Sequence, residues 1–588
     1  MPPHPERQRS APIRWFSNHA ANFRHRLAFS DALPQLAILG LVSGIITGVI
    51  ALLFRLSFEL PLHALFEGDS TEAFESLPSM IHFLLPLGGA LLVGIILHFI
   101  DPHRRQVGVS HVVERVHKHQ GRMPSGNAIT QFICGSLLLS TGTPVGREGP
   151  AVHLGAACAS GLGKQMKLPN NNLRLLAGCG VAAAIAASFN TPLAGVIFAM
   201  EVVLLEYTVT GFIPIILASV SATVVSRAVY GDDPAFMVPA VELGSLWEIP
   251  YLILSGLTIG AVAAVILRMH KLSAKVQQYP ILWRTLAAGL IAGTAGWMLP
   301  QVLGLGYDTI EMALYSQLGL GLLIAIGLIK ILVATTVVGL GLPGGMVSPT
   351  LVSGACLGGA LGVLGGFMMP ELASGPGLYA MLGMAAMMGA VLNAPLAALI
   401  ALLELTYHPH ILMPAMLVIV IACVTARILS RLPGLFLIGH DPDRLSSPVF
   451  QMLSRSGVTS LMNRDFVSCS RSIGWEKALA ILESKPDWIV IEDVGETKYL
   501  LRPSDLAHYL EASDTSLWEE DQPIALLDIP GQHRELKPIH PRASLKEALQ
   551  LMRHQNAMAI YVSRSTSAPL QSEVSGIITR EAIDNYYH

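Results

Sequence analysis

Two adjacent charged residues lie in an apolar part of the chain. Arg147 and Glu148 belong to the stretch TGTPVGREGP, residues 141–150, between the apolar runs 132–139 and 151–162. Charges inside the hydrocarbon layer are costly, so such a pair indicates an ion path. Gly146 and Gly149 leave the backbone uncovered, and Pro150 suits the first turn of a helix. The stretch therefore predicts a break in helical structure at membrane depth.

The helix that begins after this break would face the Glu148 loop with its unpaired N–H groups and its positive dipole end. That arrangement binds anions. The alternative is a structural pair in which Arg147 and Glu148 cap a helix. A structural pair would explain the two charges, whereas an anion pathway also explains the glycines and the proline.

Composition indicates a membrane protein. The 588 residues are 52% hydrophobic and 13% charged, with a net charge of −3 and a mean hydropathy of +0.53. These values exclude an ordinary soluble enzyme and predict many membrane spans. Five of the six cysteines lie in apolar segments, and the sequence has neither a CxxC motif nor a His/Cys metal spacing. We therefore expect neither disulfides nor a metal site.

The distribution of charge predicts the orientation in the membrane. Residues 1–31 are polar and arginine-rich, without a signal peptide, and are expected to form a cytoplasmic tail. A first span is predicted over 33–54 and a second over 81–100. The segment 101–123 is basic and the loop 66–78 is acidic, which places the former inside and the latter outside. The acidic loop at 232–242 is likewise expected outside, and both termini cytoplasmic.

Several apolar segments are shorter than the ~20 residues that a crossing needs. They are 151–162, 182–189, 349–361 and 377–392, and glycine and proline interrupt the sequence around them. Broken helices at membrane depth are tolerated inside protein or along a watery cavity, and in transporters they mark the substrate site. We therefore expect broken helices to form the functional site.

An internal repeat supports this interpretation. Residues 180–201 read GVAAAIAASFNTPLAGVIFAME, and residues 383–404 read GMAAMMGAVLNAPLAALIALLE. Both copies share Asn-x-Pro-Leu-Ala and a terminal glutamate, Glu201 or Glu404. A duplicated half with matching breaks predicts a site between two repeats. Two similar packing helices are the alternative, and they would explain the small residues but not the shared motif.

The last part of the chain is soluble in character. From about residue 458 charges become frequent, and a helix, strand, strand, helix pattern occurs twice before residue 588. The sequence thus predicts a cytoplasmic tail over 1–31, a membrane domain over 32–457 and a small α/β pair over 458–588.

With these residues in view, the chain resembles the CLC family of chloride channels and chloride/proton antiporters. Residues 146–150 match the family's GREGP in full. Residues 344–349, GGMVSP, match the GxFxP region with Val347 in place of Phe. Residues 106–110, QVGVS, stand where the family has GSGIP, and 447–450, SPVF, match the start of the last membrane helix with Phe450 in place of Tyr. The tail resembles a pair of CBS modules.

The resemblance implies an all-α polytopic membrane protein with two inverted repeats of broken helices and a C-terminal cytoplasmic CBS pair. It implies a homodimer in a cell membrane, in a bacterium the inner membrane, with one chloride pathway per subunit and Glu148 as gate. It implies neither an enzyme, nor a cofactor, nor a nucleic-acid partner. The implied anion-binding residues are Val107, Gly108, Arg147, Gly149, Met346, Val347 and Phe450.

Departures from the family pattern modify these expectations. Val107 and Phe450 offer no hydroxyl to a central anion, so the backbone N–H groups of Gly108, Met346 and Val347 must carry more of the coordination. We expect weaker binding of the central anion and lower selectivity among anions, with chloride as the main transported ion. A fluoride transporter is a less favoured alternative, because a small, strongly hydrated anion should need more donors.

This chain also departs from the family's antiporters at the position where they carry a proton-relaying glutamate. That position follows Glu201 and is occupied by Val202, which cannot carry a proton. We therefore expect a passive or weakly proton-coupled chloride channel, with a chloride/proton antiporter as the alternative. An intramembrane hydrolase is disfavoured because the sequence has neither HExxH nor GxSxG. A third hypothesis is a membrane scaffold whose CBS tail senses a ligand, but this hypothesis would leave the broken helices unexplained.

The tail keeps only parts of the Gly-x-x-Thr-x-x-Asp pattern of nucleotide-binding CBS modules. The second module has Gly576 and Thr579, but Ala582 stands at the acidic position. The first has Asp505, but Arg502 stands at the threonine position. Adenine-nucleotide binding is therefore expected to be weak at most, and support of a dimer is the favoured role.

Overall fold

The computed structural model describes residues 33–66, 72–233, 235–236, 238, 243–370, 373–439, 448–492, 497–512, 523–531, 533–563 and 574–586. The predicted tail over 1–31 and Ser447 of the SPVF match lie outside these residues. The chain forms two compact units. The larger comprises Leu36–Gln165 and Leu173–Leu445, and the smaller contains Ser446–His588 with the short segment Met166–Asn172.

The larger unit is helical. Its helices are α1 (Leu33–Leu65), α2 (Ser79–Phe99), α3 (Gly108–Lys118), α4 (Ser125–Ser140), α5 (Glu148–Gln165), α6 (Asn170–Phe189), α7 (Pro192–Phe198, continued by the π-helical Ala199–Leu204), α8 (Val209–Tyr230), α9 (Ile249–Ser273), α10 (Ile281–Met298), α11 (Tyr307–Leu314), α12 (Leu320–Gly339), α13 (Val347–Met368), α14 (Pro376–Leu392), α15 (Pro395–Thr406) and α16 (Leu412–Ser430).

Eight helical segments among the described residues are long and apolar enough to cross a membrane. Two segments predicted to be too short are parts of such helices. Residues 182–189 belong to α6, which has 20 residues, and 349–361 belong to α13, which has 22. The expectation is wrong for these two because polar and glycine residues at a helix end lower the local hydropathy without ending a helix that is packed inside protein. The other two segments lie in α5 and α14, which have 18 and 17 residues.

The Asn-x-Pro motif joins two helices in each repeat. Asn190 and Asn393 adopt left-handed conformations, with φ of 59° and 56°, immediately after α6 and α14. Such a residue commonly ends a helix. Pro192 and Pro395 then begin α7 and α15, where the missing proline N–H would have had no helical partner. The shared motif therefore ends one helix at its asparagine and begins the next helix at its proline.

Each repeat caps a helix of the other with a carboxylate. Glu404 accepts hydrogen bonds from the two N–H groups that follow Pro192, at 2.9 and 2.7 Å. Glu201 accepts from the two that follow Pro395, at 3.2 and 2.7 Å. This reciprocal exchange is what a local two-fold relation between two inverted repeats produces. Glu201 therefore acts as a helix cap, as its counterpart Glu404 does.

Close glycine crossings hold the broken helices together in both repeats. A Cβ atom built on Gly155 of α5 would lie 2.3 Å from the carbonyl oxygen of Gly180 in α6. A Cβ atom on Gly354 of α13 would lie 2.3 Å from the carbonyl oxygen of Gly383 in α14. These backbones touch, as small residues permit in membrane proteins. The crossings fix the positions of α5 and α13, whose first turns form the candidate site.

The smaller unit begins with a helix and continues as an α/β fold. Its elements are α17 (Pro448–Arg455), β1 (Phe466–Ser470), β2 (Ser472–Ile473), α18 (Trp475–Glu483), β3 (Trp488–Glu492), β4 (Lys498–Leu501), α19 (Pro503–Ala512), β5 (Ile524–Ala525), β6 (Arg534–Ile539), α20 (Leu545–His554), β7 (Ala559–Ser563), β8 (Val574–Thr579) and α21 (Arg580–Tyr586).

A six-stranded sheet in the order β1-β3-β4-β6-β7-β8 organises the smaller unit. β1 pairs with β3 and β6 pairs with β7 in parallel, while the other neighbours are antiparallel. The helix, strand, strand, helix order predicted for each half is confirmed, with one further sheet strand before each copy. The short strands β2 and β5 form a separate antiparallel pair.

The reciprocal caps predict a matched effect on stability. Glu201→Ala and Glu404→Ala should each lower the stability by about 1 kcal/mol, because each leaves two N–H groups at a helix start without their acceptor. The measurement is the thermal unfolding midpoint of the purified protein in detergent. Glu311→Ala, at an exposed position of α11, is the control and should leave the midpoint unchanged. Wild-type midpoints for both cap variants would show that the carboxylates do not stabilise α7 and α15.

Candidate functional site

The first turns of α5 and α13 meet at a short backbone bridge. The N–H group of Gly146 donates to the carbonyl oxygen of Gly345 at 2.9 Å, and the N–H group of Gly345 donates to that of Gly146 at 2.8 Å. The two glycine-rich breaks found in the sequence thus pair with each other in an antiparallel sense. This pairing sets the first turn of α13 opposite Glu148.

The Glu148 side chain turns away from its own helix and toward the other repeat. Its Oε1 atom accepts hydrogen bonds from the N–H group of Val347 and, at 3.3 Å, from that of Ser348. Its Oε2 atom accepts from the Ser348 hydroxyl at 3.0 Å. The residue is fully buried. A carboxylate therefore binds the free N–H groups at the positive end of α13, where a free anion could bind.

The glycines around Glu148 make room for its carboxylate. A Cβ atom on Gly146 would lie 2.1 Å from Glu148 Oε1, and one on Gly345 would lie 2.2 Å from the same atom. A Cβ atom on Gly149 would lie 2.8 Å from the Cα atom of Gly345. A side chain at any of these three positions would displace the carboxylate or push the two breaks apart. This steric conflict explains why glycine occupies each position.

Arg147 does not pair with Glu148. Its guanidinium donates to the carbonyl oxygen of Ser188 at 2.5 Å and lies 5.4 Å from the ring centre of Phe189 and 5.1 Å from that of Tyr307. The alternative of an Arg–Glu pair capping one helix is therefore not what the structure contains. The side chains of the two adjacent charged residues therefore point in different directions and have different partners.

A cavity of about 280 Å³ lies beside Arg147. Its polar lining comprises Arg55, Glu59, Glu72, Arg147, Ser188, Asn190, Ser226, Tyr230, Asp233 and Tyr307. Glu72 and Asp233 belong to the two acidic loops that the charge pattern places on one side of the membrane, and the structure brings both to this cavity. Glu148 is not among the lining residues, so the cavity ends short of the carboxylate.

Ser348 and Tyr307 connect the carboxylate to the cavity. The Ser348 hydroxyl, which donates to Glu148, lies 3.2 Å from the hydroxyl oxygen of Tyr307, and Tyr307 lines the cavity. Neither residue is among those predicted from the sequence. Ser348 stands next to Val347 in the GGMVSP stretch, where its hydroxyl could have been noticed. Tyr307 follows an ordinary loop and carries no signal in the sequence.

The structure brings together some of the predicted anion-binding residues. Gly149, Met346 and Val347 surround Glu148 or begin α13, and all three are buried. Val107 immediately precedes α3, and a Cβ atom on Gly108 would meet no atom within 4 Å, so the start of α3 borders open space. This helix packs against α5.

The structure gives the contacts of two further predicted residues, and their predicted roles stay predictions. Phe450 lies in α17 of the smaller unit, where its ring centre is 3.8 Å from the Lys546 ammonium nitrogen. Val202, at the expected proton-relay position, is buried in the π-helical continuation of α7. α3 and α5 are also joined by two buried imidazoles, with His111 Nδ1 3.0 Å from His153 Nε2. Nothing in the sequence had indicated that pair.

Comparisons with known proteins find relatives of this chain. The sequence profile described as "Voltage gated chloride channel" matches residues 89–427. A putative chloride channel protein ClcB-like of Ralstonia nicotianae is 28% identical over 61% of this chain and 84% of its own length. Chloride channel protein CLC-f of Arabidopsis thaliana is 26% identical over 91% of this chain and 78% of its own.

Two solved structures share the fold. A slow cyanobacterial Cl⁻/H⁺ antiporter superimposes with a TM-score of 0.62 at 21% identity, covering 70% of this chain and 98% of that one. A CLC-type fluoride/proton antiporter superimposes with a TM-score of 0.59 at 23% identity, covering 70% and 99%. At these identities the likeness concerns the fold.

The steric role of Gly146 can be tested with a double-mutant cycle. Gly146→Ala should destabilise the protein by about 2 kcal/mol, because its methyl group displaces the buried carboxylate from its charged hydrogen bonds. In a Glu148→Ala background the same change should cost less than about 0.5 kcal/mol, since the three atoms nearest to the new methyl group all belong to the Glu148 side chain. Thermal midpoints of the four proteins give the coupling. Equal costs in both backgrounds would place the carboxylate elsewhere.

Proposed function

The chain belongs to the voltage gated chloride channel family, also called CLC, and from that premise we propose that it conducts chloride through a pathway gated by Glu148. The observation that carries the proposal is the set of donors around the Glu148 carboxylate. Two N–H groups at the start of α13 and the Ser348 hydroxyl bind this carboxylate. The same groups suit chloride, because both ligands are anions that need preorganised donors in a place without water.

Gating follows from competition for these donors. While Glu148 is ionised, its carboxylate holds the N–H groups of Val347 and Ser348 and closes the path. A protonated carboxyl group carries no charge and binds the same dipoles less strongly, so chloride can replace it. A high chloride concentration can displace it as well. Flux should therefore rise with acidity and with chloride.

The cavity beside Arg147 would serve as the entrance. The Arg147 guanidinium lies on its wall, and its Nε–H group is buried without a hydrogen-bond partner among the described residues. Arg55, on the same wall, is engaged by Glu59 through a hydrogen bond of 2.5 Å. A cation with spare donor capacity at the inner end of a cavity attracts anions and raises their local concentration. Arg147 would thus draw chloride toward the gate without closing the path itself.

Passive or weakly proton-coupled flux is the mode that we favour. Val202 has no titratable group, and the Glu201 carboxylate is occupied as the cap of α15. Neither can readily pass a proton from the inner side to Glu148. The second candidate is a chloride/proton antiporter, as the cyanobacterial structure is named. Fluoride transport is a third and less favoured candidate, because Val107 and Phe450 add no donors to the pathway.

The remaining expectations complete the proposal. We infer a homodimer in a cell membrane, with the membrane domain over 32–457 and both termini cytoplasmic. In this proposal Leu193 and Leu396, beside the reciprocal caps and 41% and 48% exposed, contact the second copy. The domain over 458–588 would support this dimer as a CBS-like pair. Nucleotide binding is disfavoured there because Arg502 and Ala582 interrupt the expected pattern.

Removing the gate carboxylate should flatten the pH profile. In liposomes that contain Glu148→Gln, chloride efflux at pH 7 should match efflux at pH 4.5 within about a factor of two, because no ionisable gate remains to titrate. Wild-type efflux should rise clearly toward acid pH. Glu311→Gln, an exposed carboxylate, is the control and should keep the wild-type profile. A Glu148→Gln protein with the wild-type profile would refute the gate assignment.

Proton movement separates the two modes of transport. When a chloride gradient is imposed across liposomes, a channel should produce no sustained uphill proton movement, because Val202 interrupts the inner route. An external pH electrode records this movement while chloride flux is measured in parallel. Uphill proton pumping at a fixed ratio to chloride would contradict the channel mode and assign the protein to the antiporters.

A further inference from the structure

The gate carboxylate is closed off from the cavity that leads to it. Glu148 has no exposed surface, and the cavity wall passes over Arg147, Ser188 and Tyr307 without including it. A proton that neutralises the carboxylate from this side must therefore cross a layer of protein. Protein atoms would therefore separate water in the cavity from the carboxylate.

Two hydroxyl groups bridge that layer. Glu148 Oε2 lies 3.0 Å from the Ser348 hydroxyl oxygen, and this oxygen lies 3.2 Å from the hydroxyl oxygen of Tyr307. Tyr307 is one of the residues that line the cavity. The three groups form a continuous row of hydrogen bonds from the carboxylate to a residue of the cavity wall.

The ionised gate fixes the direction of these hydrogen bonds. A carboxylate only accepts, and a serine hydroxyl has a single hydrogen. Ser348 must therefore donate to Glu148, which leaves the Ser348 oxygen as acceptor for the Tyr307 hydroxyl. Both hydrogens then point toward the gate, which is the arrangement needed for proton transfer in that direction.

We propose that Tyr307 and Ser348 form a hydroxyl relay that delivers protons from the cavity to Glu148. The Ser348 hydrogen moves to Glu148 Oε2, the Tyr307 hydrogen moves to the Ser348 oxygen, and a proton from cavity water replaces it on Tyr307. Each hydroxyl gives one proton and receives one, so neither ends charged. This inference rests on the proposed gating role of Glu148.

The charges around the relay fit this task. Glu72 accepts a hydrogen bond from the Tyr307 N–H group at 2.6 Å and lines the cavity, so its carboxyl group lies beside the outer member of the relay. Asp308 is the next residue. Arg147 lies 5.1 Å from the Tyr307 ring centre, and buried Lys330 donates to the carbonyl oxygens of Leu303 and Gly304. These two cations face the two carboxylates around the relay.

Rate and equilibrium distinguish a relay from a structural contact. Tyr307→Phe removes the outer hydroxyl but leaves the three direct donors to Glu148 in place. It should therefore slow the gate's response to protons without moving the midpoint of the equilibrium pH profile. Ser348→Ala removes both a relay member and a direct donor to the ionised carboxylate. It should slow the response and also move the midpoint to higher pH.

The test is the rise of chloride current after rapid acidification of the bath, recorded on solid-supported membranes that contain the purified protein. Tyr307→Phe should respond about tenfold more slowly than wild type. Tyr230→Phe is the matched control, because Tyr230 lines the same cavity while its hydroxyl donates to Glu59 at 2.9 Å. It should respond at the wild-type rate. The Glu148→Gln protein has no ionisable gate, so its current gives the chloride flux that does not respond to acidification.

Two results would overturn the relay. One is a wild-type rate in Tyr307→Phe, and the other is an equal slowing in Tyr230→Phe. Failure of the underlying gate proposal would look different, because wild-type chloride flux would then be absent, or Glu148→Gln would keep the wild-type pH profile. Tyr307→Phe keeps its ring, and its thermal midpoint reports whether it has folded.

Discussion

The structure depends on an anion at the start of α13, and the protein supplies that anion itself. The N–H groups of Val347 and Ser348 have no acceptor within their own helix, and the Glu148 carboxylate of the other repeat binds them. A buried carboxylate without such donors would be unstable, and so would buried donors without an acceptor. Because each needs the other, any event that neutralises the carboxylate frees a site for another anion.

The two inverted repeats create this arrangement by exchanging contacts. The bridge between Gly146 and Gly345 brings the breaks together, and the carboxylates of Glu201 and Glu404 each cap a helix of the other repeat. The repeats differ at the central position, since Val347 stands where the first repeat has Glu148. The first repeat therefore contributes a buried carboxylate that the second repeat lacks. The proposed gate is a place where the internal symmetry is broken.

Much of this could be predicted from the sequence because the signals are local. Glu148 and its glycines lie within ten residues, the repeat aligns without a gap, and the tail alternates helix and strand. The length of α13 could not be predicted, since its first residues resemble a loop until they are packed. Tyr307 and the His111–His153 pair depend on contacts between distant segments. Phe450 was assigned from a resemblance alone, and its ring lies beside Lys546.

The central claim is that the Glu148 carboxylate and the transported anion use the same donors. A crystal structure of Glu148→Ala grown in bromide tests it directly, because bromide can be located by its anomalous scattering. The account predicts a bromide ion within hydrogen-bonding distance of the N–H groups of Val347 and Ser348, in the space that the carboxylate leaves. An ordered structure in which these two N–H groups bind no bromide would contradict it.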